Sequence, residues 1–172
     1  VAPRSSPRPP VRLLVLDVDG VLTDGRLYFG ARGEALKVFH VRDGHGIVQL
    51  RRAGIAVAVI SGRRSPMVAT RCRELGIEHV FQGVADKLPV FERLCTRLKI
   101  TPRDCACVGD DLPDLPLLRA AGRSFAVADA HPQVRAAAGQ VTVLPGGSGA
   151  VREVCDLLLQ GAARRATRAL RP

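Results

Sequence analysis

Aromatic residues are scarce in this chain, with no Trp, one Tyr and five Phe among 172 residues. Base-stacking platforms of single-strand nucleic-acid binders therefore have almost no material, and the core must be built from Val, Leu, Ile and Ala. Long apolar runs are missing too. None approaches the roughly 20 residues needed to cross a bilayer, which excludes a membrane-spanning helix. The five cysteines (Cys72, Cys95, Cys105, Cys107 and Cys155) are odd in number, contain no C-x-x-C spacing and sit mostly among apolar neighbours. That pattern speaks against a disulfide framework and for reduced, buried thiols in the cytoplasm. Cys105 and Cys107 alternate with Ala106 and Val108, so both face one side of a strand, as packing rather than as metal ligands. No internal repeat recurs, and the length is that of one ordinary domain. Disorder is excluded by a hydrophobic content of 47%, enough to offset the entropy of folding.

Acidic residues are outnumbered 16 to 26 by Lys and Arg, for a net charge of +10. Arg4, Arg8, Arg164, Arg165, Arg168 and Arg171 lie in end segments without acids and carry six of those charges, leaving +4 on the body. A mildly positive body suits a small anionic substrate at least as well as a polyanion, so nucleic acid is not the expected partner. Residues 1–10 begin with Val rather than Met, as a truncated, processed or oddly annotated start would. They are too proline-rich to fold locally, lack an apolar signal core and read as a flexible tail. Residues 11–160 read as one domain and 161–172 as a basic C-terminal tail.

From Val11 onward, short β-branched runs alternate with segments of helical period, the pattern of an α/β parallel sheet covered on both faces. Strands are expected at Val11–Leu16, Ile55–Ile60, His79–Phe81, Cys105–Val108, Ser124–Val127 and Val141–Val143. Helices are expected at Gly44–Ala53, Ser65–Leu75 with Ser65 as its cap, Asp86–Leu98, Pro113–Ala121, after Pro132, and at Ala150–Gln160. One insertion breaks the alternation: Arg26–Phe29 and Ala35–Val41 flank the turn-like Gly30-Ala-Arg-Gly33 and read as a β-hairpin just past the first strand. An apolar hairpin with so little core of its own is expected to pair with other subunits.

Asp17 and Asp19 stand two residues apart at the carboxyl end of the first strand. Asp110, Asp111 and Asp114 follow the strand at Cys105–Val108 and end on the same rim of the sheet. Such carboxylate crowding is costly without a divalent cation, and oxygen-only ligation suits Mg²⁺. Either cluster alone could be a turn or a cap; two on one rim point to a site. Ser61, followed by Gly62 and Arg63, offers a hydroxyl and backbone N–H groups near a helix start, and Lys87 offers a point positive charge.

In this order, Asp17-Val18-Asp19, Ser61, Lys87 and Gly109-Asp110-Asp111-Leu112-Pro113-Asp114 resemble the four motifs of the haloacid dehalogenase superfamily of phosphohydrolases. More narrowly, D-V-D-G-V-L-T-D-G, V-R-D-G-H-G-I, I-S-G-R, G-D-D-L-P-D, A-V-A-D-A-H-P and G-A-V-R-E-V-C-D-L-L-L are similar to the 3-deoxy-D-manno-octulosonate 8-phosphate phosphatases of lipopolysaccharide precursor synthesis. The resemblance spans Val11 to about Gln160 and implies a Rossmann-like sheet without a large cap domain. It implies Asp17 as nucleophile, Asp19 as proton donor and then base, and Ser61 and Lys87 as ligands of the phosphoryl oxygens. Mg²⁺ would be held by the carboxylates of Asp17 and Asp110 and the carbonyl of Asp19, with Asp111 and Asp114 orienting that site.

For the sugar acid the resemblance implies contacts from His40, Val41, Arg42, Asp43 and Gly44, with Gly62, Arg63 and Arg71. Three positions depart from the family pattern: Val48 and Ser148, where Arg is common, and His40, where Asn is usual. Val48 keeps open a different acidic sugar phosphate, such as a nine-carbon 9-phosphate. A noncatalytic receiver-like module or pseudo-enzyme is the alternative outside enzymes, though a receiver needs no proton donor at Asp19. Members of the family work as tetramers in which hairpins assemble and a neighbour's C-terminal segment closes the site. Pro145–Gly149 is expected to be either a mobile stretch of that kind or a plain loop.

Overall fold

The computed structural model describes residues 10–169, with side chains through residue 163. At its centre is β1 (Leu13–Leu16), whose four consecutive side chains are all buried; only a strand covered on both faces buries every residue in a row. Its parallel neighbours are β4 (Ala56–Ser61) and β6 (Cys105–Gly109), with Leu16 in register with Val59 and Val108. Adding β5 (His79–Gln82), β7 (Arg123–Ala126) and β8 (Gln140–Val141) gives a parallel sheet in the order β5-β4-β1-β6-β7-β8. The hairpin strands β2 (Tyr28–Gly30) and β3 (Gly33–Leu36) form a separate antiparallel pair.

Of the helices, α1 (Val41–Arg52) packs on α6 (Ala150–Ala169), while α3 (Lys87–Leu98), α4 (Leu115–Ala120) and α5 (Pro132–Ala137) pack in succession. With α2 (Pro66–Glu74), the chain moves outward from β1 to β5 and then reverses through β6, an order that, with the right-handed crossovers general for parallel strands, puts helices on both faces. The reversal lies between β1 and β6, so the ligand crevice of such a sheet opens at their carboxyl ends. The five cysteines are free and buried. Burial pushes the Cys72 thiol up to about 11, and all five pack as small apolar groups, as expected.

The local differences from the sequence reading have physical causes. The hairpin ladder stops at Leu36 rather than Val41, because Lys37 turns its ammonium toward the body and Val41 already opens α1. His40 caps that helix, its Nδ1 accepting the Arg42 N–H at 3.2 Å, so α1 begins three residues before Gly44. Ser65 occupies the cap position of α2 without a side-chain cap bond; instead its N–H donates to Gln82 Oε1 at 2.7 Å. The segment from Leu112 splits into a 3-10 turn, Leu112–Asp114, and α4, with Asp111 and Asp114 forming a capping box at the turn. β8 ends at Val141, and the N–H of Val143 is taken by Glu153 Oε2 at 2.9 Å instead of a ladder partner. The last helix passes Gln160 and continues to Ala169. The flexible tail read at residues 1–10 falls, but for Pro10, outside the described residues. No helix among the described residues is long and apolar enough to cross a membrane.

Candidate active site

The turn after β1 is wound on one carbonyl. Val18 O accepts the N–H groups of Val21, Leu22 and Thr23 at 3.2, 2.9 and 3.0 Å. Gly20 has a φ of +95°, and a Cβ there would collide with the Asp110 carboxylate, so only glycine fits. This turn sets Asp17 in the sheet plane, its N–H donating to Val108 O at 3.3 Å, and brings Asp19 round to the same rim.

Asp17, Asp110 and Asp114 each offer a carboxylate oxygen within 4.8 Å of the other two. Between them lies Lys87, itself buried, whose Nζ donates to Asp17 Oδ1 at 2.6 Å and to Asp114 Oδ1 at 2.7 Å. Asp114 Oδ2 in turn accepts the N–H groups of Asp110 and Asp111 at 3.1 and 3.4 Å. Asp114 thereby ties the Lys87 ammonium to the backbone of the loop that carries Asp110 and Asp111. Asp111 is exposed; its carboxylate accepts the Leu112 N–H at 2.8 Å, and through its own N–H it is tied to Asp114. Ser61, buried at the end of β4, accepts the Arg63 N–H at 3.3 Å.

With all three carboxylates ionised, one ammonium leaves a net charge of −2, which is what a divalent cation cancels. The titration behaviour reflects that imbalance. Burial, then repulsion from Asp114, raises Asp17 to about 6 despite Lys87. Burial, then repulsion from Asp17 and Asp114, raises Asp110 to about 8. Burial disfavours the Lys87 ammonium, but its two carboxylates outweigh this and hold its pKa above the ordinary lysine value. A buried all-oxygen cluster with unbalanced negative charge fits a hard divalent cation.

The residues expected to read the sugar are less uniform. Arg63 extends over the site, with Nε 4.0 Å from Asp19 Oδ2 and Nη2 3.2 Å from Glu34 Oε1. His40 is half-buried; Val41, Arg42 and Gly62 are exposed at the rim. Arg71 is not a freely solvated charge: it pairs with Glu74 at 3.2 Å and lies against Gly44. Asp43 is turned the other way, fully buried, with Oδ1 accepting the Arg152 N–H at the start of α6 at 2.8 Å. It joins α1 to α6, and burial raises its pKa. The sequence reading missed Glu34 and Lys37, two hairpin residues whose side chains are only 12% and 2% exposed. Their one signal was position, on a hairpin stem that follows directly after the motif at Asp17.

A family model for haloacid dehalogenase-like hydrolases matches residues 43–122. The 3-deoxy-D-manno-octulosonate 8-phosphate phosphatase KdsC of Escherichia coli K12 is 54% identical over 149 residues, 87% of this chain and 79% of that protein. The chain belongs to this phosphatase family of haloacid dehalogenase-like hydrolases. The phosphatase structure from Yersinia pestis matches with a TM-score of 0.86 at 50% identity, covering 87% of this chain and 81% of that one. The Moraxella catarrhalis phosphatase, solved with magnesium, phosphate and a KDO molecule, matches with a TM-score of 0.86 at 43% identity over 91% and 92% of the two chains. Membership in this phosphatase family removes the ground for a receiver-like reading.

Pro145–Gly149, which the sequence leaves open between a mobile stretch and a plain loop, makes contacts within the chain. It is seated on the chain's own active-site turn. Gly147 N–H donates to Val21 O at 3.0 Å and Gly146 N–H to Asp129 Oδ1 at 2.9 Å. A Cβ on Gly146 would collide with the Gly20 carbonyl. Gly146→Ala is accordingly expected to destabilise the protein by about 1–3 kcal/mol, the usual cost of overpacking. Because Gly20 lies against Asp110, turnover should fall with it. Calorimetric melting and phosphate release on the same preparation check both effects.

Proposed function

We propose that this chain hydrolyses 3-deoxy-D-manno-octulosonate 8-phosphate to the free sugar acid and phosphate, with Mg²⁺, in cytoplasmic lipopolysaccharide precursor synthesis. The observation that carries the reading is the cluster of buried Asp17, Asp114 and Lys87 with half-buried Asp110, beside Ser61, in a chain 54% identical to a phosphatase of that substrate. Uncatalysed phosphate-monoester hydrolysis is so slow that the barrier must fall by on the order of 20 kcal/mol, and dividing the reaction into two displacements is a way to achieve it.

In the first displacement Asp17 attacks phosphorus, forming an aspartyl-phosphate, while Asp19 protonates the departing sugar oxygen. In the second, Asp19 takes a proton from the water that cleaves the acyl phosphate. Lys87 and Ser61 bind the phosphoryl oxygens whose charge must be held in transit. Lys87 also keeps Asp17 oriented, its ammonium shared with Asp114. The Asp17 and Asp110 carboxylates and the Asp19 carbonyl would hold Mg²⁺, which, when bound, keeps Asp17 ionised and offsets phosphate charge. Arg63, reaching over Asp19, is the guanidinium best placed for the sugar carboxylate, with His40, Val41, Arg42 and Gly44 along the rim and Gly62 beside it. Arg71, packed on Gly44, supports that rim.

A nine-carbon acid 9-phosphate is the second reading. It is favoured by Val48, which packs partly buried against the core and offers no charge where the family commonly has Arg. Turnover on the two esters separates them. A kcat/KM at least tenfold higher for octulosonate 8-phosphate is expected, and a tenfold preference for the nine-carbon ester reverses the assignment.

Assembly as a homotetramer through the hairpin belongs to the same proposal. It rests on the apolar side chains exposed there, with Phe29 66% and Val38 52% exposed and Leu27 and Leu36 45% each. Burial of five free thiols supports the cytoplasmic setting.

A further inference from the structure

The hairpin leaves most of its apolar side chains in solvent yet buries a lysine. Lys37 Nζ contacts the Asp19 carboxylate and lies 3.0 Å from Glu34 Oε1. Glu34 Oε1 also accepts from Arg63 Nη2 at 3.2 Å, and Arg63 Nε lies 4.0 Å from Asp19 Oδ2. Two acids and two bases thus close a ring, in which Lys37 addresses one oxygen of Asp19 and Arg63 the other. Burying an ammonium costs several kcal/mol unless its partners are well placed, so a 2% exposed lysine on an otherwise exposed element is held there by the carboxylates it touches. The first of the two proton transfers assigned to Asp19 depends on aim: its proton must reach a lone pair of the leaving oxygen as the bond to phosphorus breaks.

We infer that Lys37 is a positioning residue, fixing the Asp19 carboxyl for proton transfer to the leaving group, with Glu34 holding Lys37 and Arg63 in register. The inference rests on the reading of Asp19 as proton donor.

The test uses the full chain with Mg²⁺ and three esters: octulosonate 8-phosphate, glycerol 2-phosphate and p-nitrophenyl phosphate. The first two expel an alkoxide and need the proton; p-nitrophenolate leaves with little help. Because kcat/KM reports events only through the first displacement, it isolates that need. Lys37→Met should lower kcat/KM for both alkyl esters at least tenfold more than for the aryl ester. Glu34→Gln should show the same selectivity to a smaller degree, and Lys37→Arg should restore part of the loss. Glu34→Gln carries the test alone if Lys37→Met fails to fold, as judged by melting. Equal losses on all three esters, or a loss confined to the sugar acid, overturn the inference. Asp19→Ala separates the two levels. If it is selective against alkyl esters while Lys37→Met and Glu34→Gln are not, the inference alone fails; if it is unselective, the reading of Asp19 fails and the inference with it.

Discussion

Replacing Asp17 by Asn should yield a folded protein whose metal-dependent phosphate release is lower by on the order of 10⁴-fold or more, the scale of losing a nucleophile from a covalent mechanism. The amide keeps the shape and can still accept the Lys87 hydrogen bond, but its nitrogen and oxygen lack the electron density to attack phosphorus. Stability should move the opposite way. Asp17 is raised to about 6 by burial and by Asp114, so near neutral pH without metal its charge is a cost that the neutral amide removes. Melting of the metal-free variant at pH 7.5 should therefore match or exceed that of the parent. Full turnover in Asp17→Asn would refute the nucleophile assignment, while a large drop in melting temperature would refute the electrostatic account of the cluster.

Lys87 illustrates why the rim was legible in the sequence. Acids at the ends of two β-branched runs, a Ser after a third and a Lys at a helix start must converge if those runs form one parallel sheet, because parallel strands put all their carboxyl ends on one edge. That rule brings the strand-end acids Asp17 and Asp110 to one edge, whereas Ser61 and Lys87 are weak signals singly and take their roles, as Asp114 does, from motif order and the family resemblance. Lys37 did not follow, since a Glu and a Lys three residues apart on a short hairpin normally stay solvated, and only the folding of that hairpin onto Asp19 buries them. Asp43 was hidden by distance along the chain: its partner Arg152 lies 109 residues away, and nothing local says that a helix start will arrive there. The glycines of Pro145–Gly149 left two readings open for another reason. Composition cannot distinguish glycine used for motion from glycine used for close approach, and here the Gly20 carbonyl leaves Gly146 no room for a side chain.

The acid cluster also fixes how metal binding should depend on pH. Asp110 is raised to about 8 and Asp17 to about 6, against an ordinary carboxylate value of 3.8. Because both folded values lie above the unfolded one, the metal-free folded state binds more protons than the unfolded state between about pH 4 and 8. Their contribution to stability is therefore fully present below about pH 4 and is lost as pH rises through 6 and then 8. A divalent cation must displace those protons to bind. Between pH 8 and 6 one proton, that of Asp110, is in play, so Mg²⁺ affinity should weaken about tenfold per pH unit, and more steeply below 6 as Asp17 joins. Titration calorimetry at pH 6, 7 and 8 in buffers of different ionisation enthalpy should find close to one proton released per ion at pH 7. The rise in melting temperature on adding Mg²⁺ should be larger at pH 8 than at pH 6, because the ion then replaces repulsion rather than a proton. Affinity that stays level across this range would mean that the three carboxylates are already balanced by something other than the cation, and the charge argument for the site would fall.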